Sequence, residues 1–251
     1  MARTALITGG AKRIGRALVE RLAREGYDVA IHCRFSEAEA RMLADAIIGR
    51  GRRAAVVVAD LADQGAVERI VDEACRALGP LDLLVNNASE FQPDGIESLT
   101  QERWDRHFAV NLRAPAFLAR DFARQLPDDR EGCIVNIVDQ RVWKPTPQFF
   151  SYALTKSALW AATQTLAQAL APRIRVNAIG PGPTYSNVRQ GDEDFAKQSA
   201  AVLLGRGPLP EEIADAVMFL AGARSVTGQM IAVDGGQHLA WETPDVVGIR
   251  E

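Results

Sequence analysis

An α/β fold built on a doubly wound parallel sheet is what this 251-residue sequence predicts, and three observations predict it. Seven short β-branched runs alternate with longer amphipathic stretches from end to end. The runs are nearly continuous in apolar residues, as strands buried on both faces are. No linker, repeat or low-complexity stretch divides the chain, so residues 1–251 read as one domain.

The elements follow in order. Thr4–Thr8 is a first strand, and a glycine turn leads from it into a helix at Ile14–Arg24, stopped by Gly26. Val29–Cys33 with Glu37–Ile48, and Ala54–Ala59 with Gln64–Ala77, repeat the unit. Leu81–Asn86 precedes a helix over Gln101–Gln125, for which Thr100 is the N-cap. Cys133–Val138 leads to Ser151–Ala171, which Pro172 closes. Arg175–Ile179, Glu211–Leu220 and Met230–Val233 complete the series. Alternation at this spacing implies right-handed βαβ crossovers. The irregular stretch from Gly180 to Ser199 follows a strand, where ligands bind in such sheets. It predicts a substrate-side lid over about residues 181–207, without regular structure.

Composition excludes several functions. A net charge of −3 lacks the basic footprint of a nucleic-acid binder. No apolar run approaches the roughly 20 residues that span a bilayer. The N-terminus "MARTALITGG" reads as a strand, not as a signal peptide. Cys33, Cys75 and Cys133 are widely spaced and show no metal-ligand pattern, which points to a reducing, cytoplasmic compartment and to no metal. His32, His107 and His238 are scattered.

"TGGAKRIGRA", Thr8–Ala17, joins the first strand to the first helix. Glycines there let the backbone approach a pyrophosphate, and the helix N-terminus offers unpaired N–H groups. An NAD site carries an acid at the end of the second strand; here "IHCRFS" has none until Glu37. Arg34 can fork onto a 2′-phosphate, Ser36 can donate to it, and Lys12 and Arg13 add positive charge, so the cofactor predicted is NADPH.

With the glycine turn, "NNAS" at Asn86–Ser89, Asn111 in "VNL", "YALTK" at Tyr152–Lys156 and "GPGPT" from Gly180, the chain resembles the short-chain dehydrogenase/reductase family from the first strand to "VDGG" at Val233–Gly236. The resemblance implies a Rossmann-like fold and cofactor contacts from Gly9, Lys12, Arg13, Ile14, Gly15, His32, Arg34, Ser36, Asp60, Leu61, Asn87, Ala88, Ser89, Tyr152, Lys156, Pro181, Gly182 and Thr184. It implies Tyr152 as proton donor, Lys156 as the cation that lowers the phenol's pKa and bonds the nicotinamide ribose, and Asn111 as holder of a water beyond the lysine. A homotetramer follows from the resemblance as well.

Two positions depart from the family pattern: Arg13 stands where a third glycine is usual, and Asp139 where a serine is usual. With "NNASEF" and the His/Arg/Ser stretch they resemble pteridine reductases and dihydromonapterin reductases. An ionised aspartate cannot donate to a carbonyl and repels a developing alkoxide. It does suit the N–H edge of a pterin; kept neutral by burial, it would instead donate as serine does. The substrate set implied is Arg13, Ser89, Phe91, Asp139 and Tyr152, with Phe91 stacking on the ring. Trp143, Phe149 and Trp241 are candidates to wall the pocket, but are read first as buried hydrophobes. The reaction predicted is reduction of a pterin or dihydropterin C=N. The alternatives are a carbonyl or sugar reductase of the same fold and a non-catalytic NADPH sensor.

Overall fold

Apolar runs cannot bury unpaired backbone N–H and C=O groups, and in this chain seven of them pair side by side. The computed structural model describes residues 3–186 and 191–240. The strands are β1 (Thr4–Ile7), β2 (Asp28–Cys33), β3 (Ala54–Val58), β4 (Leu83–Asn86), β5 (Gly132–Ile137), β6 (Ile174–Pro181) and β7 (Met230–Val233). Every neighbouring pair is parallel, in the order β3-β2-β1-β4-β5-β6-β7. The helices are α1 (Arg13–Arg24), α2 (Glu37–Ile48), α3 (Gln64–Leu78), α4 (Gln101–Phe108), α5 (Ala114–Gln125), α6 (Phe150–Leu170), α7 (Gly191–Ala200) and α8 (Pro210–Gly222). This is the predicted Rossmann-like α/β domain.

Successive residues of a strand point to opposite faces, so the sheet feeds two cores. From β1, Ala5 and Ile7 pack with α1, α2 and α8, while Leu6 packs with α3, α5 and α6. Leu18, Ile31 and Phe122 are fully buried, each contributing roughly 1.5–3 kcal/mol. Among the described residues no helix is long and apolar enough to cross a membrane, and the three cysteines are free thiols.

The order places the functional crevice. The chain winds outward from β1 through β2 and β3, then returns across β1 to begin β4. The loops leaving β1 and β4 therefore diverge and open a cleft at their carboxyl ends.

Two expectations are corrected. The helix over Gln101–Gln125 is not uniform: between α4 and α5, Ala109–Arg113 forms a π-helical turn. Pro115, just beyond it, has no N–H, and its ring would clash with the carbonyl of Asn111 in a regular helix; a wider turn avoids this. The lid is not wholly irregular, since it contains α7. Asp192, Glu193 and Asp194 crowd the helix's first turn, where its dipole favours acids, and Lys197 pairs with Glu193 at 2.9 Å. Thr100 caps α4 as predicted, accepting from the Arg103 N–H at 3.3 Å.

Candidate active site

The turn after β1 is tight enough to require glycine. Gly9 has φ +62°, and a Cβ on Gly15 would lie 2.0 Å from the Gly9 carbonyl oxygen. Arg13 shares the left-handed conformation at φ 53°, which explains why glycine is usual there; an L-residue in that region costs roughly 1–2 kcal/mol. Its guanidinium covers the ring of Tyr185 at 5.2 Å. Lys12, the N-cap residue of α1, forms no side-chain cap, so the first-turn amides keep their capacity for an anion. Ile14 packs partly into the core behind the turn.

Three of the predicted cofactor contacts hold the crevice together from inside. His32 is buried: its Nδ1 accepts from the Gly9 N–H at 3.2 Å, and its Nε2 faces the Ala59 carbonyl at 3.1 Å. Both ring nitrogens are used, so the His32 imidazole positions the glycine turn. The side chain of Asn87 donates to the Thr8 and Gly9 carbonyls at 2.8 and 3.1 Å, and the Ala88 N–H donates to the Thr8 hydroxyl at 3.0 Å. The apolar side chain of Leu61 is buried with α3 and α5.

Burial holds the His32 imidazole down at about 4, against 6.5 when exposed. Between those values the unfolded chain binds the proton and the folded one does not, so stability falls on acidification from pH 6.5 to 4. The full difference is about 3 kcal/mol. Urea unfolding at pH 7 and 4.5 is expected to show this loss, and His32→Gln to show a smaller one; an equal loss in both would discard the assignment.

The cationic mouth lies at the end of β2. Arg34 Nε is 2.9 Å from Asp60 Oδ2, but the contact lacks hydrogen-bond alignment and that buried nitrogen stays unbonded. The guanidinium lies over the exposed Phe35 ring at 4.0 Å. Lys12 pairs with Glu39 at 2.8 Å, and Ser36, at the start of α2, forms no capping bond. On the far wall the Gly182 N–H donates to the Val233 carbonyl at 2.9 Å, beside Pro181, and the Thr184 hydroxyl donates to the Gly182 carbonyl at 3.0 Å. Close-approach glycines, an uncapped α1 and this mouth fit a dinucleotide bearing an extra phosphate.

The reacting groups gather where β5 ends and α6 begins. The Tyr152 hydroxyl donates to Asp139 Oδ2 at 2.8 Å, and the Arg141 N–H donates to Asp139 Oδ1 at 2.8 Å. The aspartate thus lies in the cleft, using both oxygens as acceptors. Lys156 is buried one turn beyond Tyr152, with Nζ donating to the Ile137 carbonyl at 2.8 Å. Burial pushes its ammonium down to about 8, against a smaller upward pull from Asp139.

The phenol contradicts the expectation that Lys156 lowers its pKa. Burial, then the negative charge of Asp139 and the hydrogen bond to it, hold Tyr152 well above 10. Lys156 Nζ is turned toward the β5 carbonyl, 5.7 Å from the phenol ring centre, while the carboxylate touches the hydroxyl. Tyr152 is therefore a protonated acid at neutral pH.

Phe91 stands edge-on to Tyr152, with ring centres 4.6 Å apart. One of its faces is covered by Phe149, stacked at 4.5 Å. Of the three aromatics read as buried hydrophobes or pocket walls, Phe149 stacks on Phe91 beside Tyr152, Trp143 is exposed against His238, and Trp241 lies outside the described residues.

Asn111 proves to be a clasp. Its Oδ1 accepts from the Glu90 N–H at 2.8 Å and the Ser89 hydroxyl at 3.2 Å, and its Nδ2 donates to the Glu90 carbonyl at 2.9 Å and Thr155 Oγ1 at 3.2 Å. With both groups committed, the side chain holds the β4 loop against α6. Behind Tyr152 the sequence concealed a further network. The Gln92 N–H donates to His107 Nε2 at 3.0 Å, His107 Nδ1 donates to the Ser151 hydroxyl at 2.6 Å, and that hydroxyl donates to Asp94. Asp94 also accepts from the Ser151 N–H at 3.2 Å, capping an α6 whose own N-cap residue, Phe149, makes no side-chain cap.

Comparison with known proteins agrees with this geometry. Residues 9–238 match a family model described as enoyl-(acyl carrier protein) reductase. A short-chain dehydrogenase/reductase, eriH, of Hericium erinaceus is 35% identical over 93% of this chain and 96% of its own. The crystal structure of FolM alternative dihydrofolate reductase 1 from Brucella canis, complexed with NADP, superposes with a TM-score of 0.95 at 55% identity, covering 97% of each chain. Its Brucella suis counterpart, also with NADP, gives 0.95 and 55%, over 97% of this chain and 98% of that one.

Proposed function

Because the chain belongs to the short-chain dehydrogenase/reductase family, we propose that it is an NADPH-dependent reductase of a pterin or dihydropterin C=N bond. The observation that carries this reading is Asp139, which places acceptor oxygens beside the proton donor, where a carbonyl substrate needs a donor. The 55% identity to NADP-bound proteins named alternative dihydrofolate reductases supports it.

Gly9, Gly15 and the α1 N-terminus would hold the pyrophosphate, Arg34, Ser36 and Lys12 the 2′-phosphate, and Lys156 the nicotinamide ribose. When bound, NADPH supplies the hydride for the electron-poor carbon. Tyr152 gives its proton to the adjoining ring nitrogen. Lys156, with one N–H on the Ile137 carbonyl, has two left for the ribose hydroxyls. The phenolate regains a proton from solvent by way of Asp139, which also accepts from the ring's N–H edge. Arg13, Ser89 and Phe91 would complete the substrate contacts.

NADPH oxidation with dihydrobiopterin, dihydromonapterin and dihydrofolate, set against simple ketones, tests the reading. A preference for a dihydropterin of about 100-fold, or roughly 2.7 kcal/mol, is expected. Turnover of ketones alone would leave a carbonyl reductase in its place. For the cofactor, Arg34→Ala is expected to raise the NADPH KM about 10–100-fold, through loss of a charge-assisted bond of about 1.5–3 kcal/mol. The NADH KM should move far less; equal shifts would place the 2′-phosphate elsewhere.

We also infer a homotetramer in the cytoplasm. Half-buried Phe108 and Leu112, with the exposed Leu154, leave apolar surface along α4–α6 that self-association would cover. Three free thiols suit a reducing compartment.

A further inference from the structure

We propose that Arg141 binds the substrate, its guanidinium donating to an oxygen acceptor of the flat heterocycle next to the edge held by Asp139. The inference rests on the pterin reading above and extends it to a second recognition group.

Arg141 and Asp139 share the short 3₁₀ turn that follows β5, Gln140–Val142 with Asp139 as its N-cap. The Arg141 backbone N–H grips Asp139 Oδ1 at 2.8 Å, which fixes the carboxylate against the Arg141 main chain. The guanidinium carbon lies 5.1 Å from the centre of the Phe149 ring and 6.0 Å from that of Phe91, the stacked pair that walls the cleft. Arg141 Nη1 is buried there and, in this structure, bonds to nothing. A buried guanidinium N–H without an acceptor is unfavourable, and proteins leave few of them. An oxygen entering the cleft would satisfy it.

The chemistry of the pair is specific. Asp139 accepts and Arg141 donates, from positions two residues apart, over an aromatic wall. A heterocycle presenting N–H donors beside an oxygen meets both, and a simple ketone meets only one. Arg141 also pulls the Tyr152 phenol downward, opposite in sign to Asp139, which places its charge within range of the reacting centre. The oxygen has two sources: a carbonyl on the ring, or a carboxylate on a substrate's tail.

The test compares the parent with Arg141→Met, Arg141→Gln and Arg141→Lys. KM and kcat are measured for dihydrobiopterin, which has no carboxylate, and for dihydrofolate, which has two. Dissociation constants for both come from quenching of tryptophan fluorescence in the NADP⁺-loaded protein. Arg141→Met is expected to raise KM and Kd about 10–100-fold. A rise for both substrates assigns the ring carbonyl, a rise for dihydrofolate alone assigns the tail, and Arg141→Lys should recover part of either. Should Arg141→Met lose its cooperative melt, Arg141→Gln carries the comparison. Parent-like Kd values in the folded variants would overturn the proposal, as would a fall in kcat at unchanged KM, which would make Arg141 an electrostatic neighbour of Tyr152 only. A parent that binds neither compound overturns the pterin reading itself, and this inference with it.

Discussion

Replacing Tyr152 with phenylalanine is expected to cut turnover of a dihydropterin by about 10²–10⁴-fold, the usual contribution of a positioned general acid. The ring keeps its edge contact with Phe91, and Asp139 lies only partly buried, so its freed oxygen can take a water. The fold and the cofactor crevice should therefore survive, and NADPH titration should show a dissociation constant within a few-fold of the parent's. That separation bears on the sensor alternative: loss of turnover with binding intact is what an enzyme shows. Retained turnover in Tyr152→Phe would remove the phenol from the mechanism.

The second large effect concerns Asp139. Asp139→Ser replaces an acceptor pair with a hydroxyl that can donate, and removes the charge that holds the Tyr152 phenol up. Two consequences are expected together. The kcat/KM for a dihydropterin falls about 10²–10³-fold, as charge-assisted bonds to the ring edge are lost. Reduction of simple ketones rises at least about tenfold, because a donor now meets the developing alkoxide. The phenol also deprotonates more readily, so the variant should oxidise alcohols under alkaline conditions where the parent does not. Steady-state assays in both directions decide this, and a variant that keeps its pterin preference would show that selectivity resides elsewhere.

How far the site could be read in advance depended on distance along the chain. Strands buried on both faces announce themselves as continuous apolar runs, and all seven lie within two residues of the expected limits. Tyr152 and Lys156 were readable because one helical turn brings i and i+4 together, and Asp139 because it stands at a strand's carboxyl end. His107, Asp94 and Ser151 were not, because positions 44 and 57 residues apart meet only through the tertiary fold. The sign of the shift at Tyr152 was equally hidden. It depends on how deeply the phenol is buried and on its contact with Asp139, and spacing encodes neither. Arg141 carried a faint signal, two residues after Asp139, which becomes visible only once the intervening turn is known to be 3₁₀.

The stacked phenyl pair bears on kinetics. Phe149 lies flat on Phe91 with 4.5 Å between ring centres, too close for a third ring to slide between them. It also holds a left-handed backbone conformation, φ 57°, at the mouth of α6. A planar guest that rests on the face of Phe91 now covered by Phe149 must first displace that ring, and displacement lets a strained residue relax. By that route association is expected to be gated, its observed rate levelling off as guest concentration rises, with the ceiling set by how often one benzyl group swings aside.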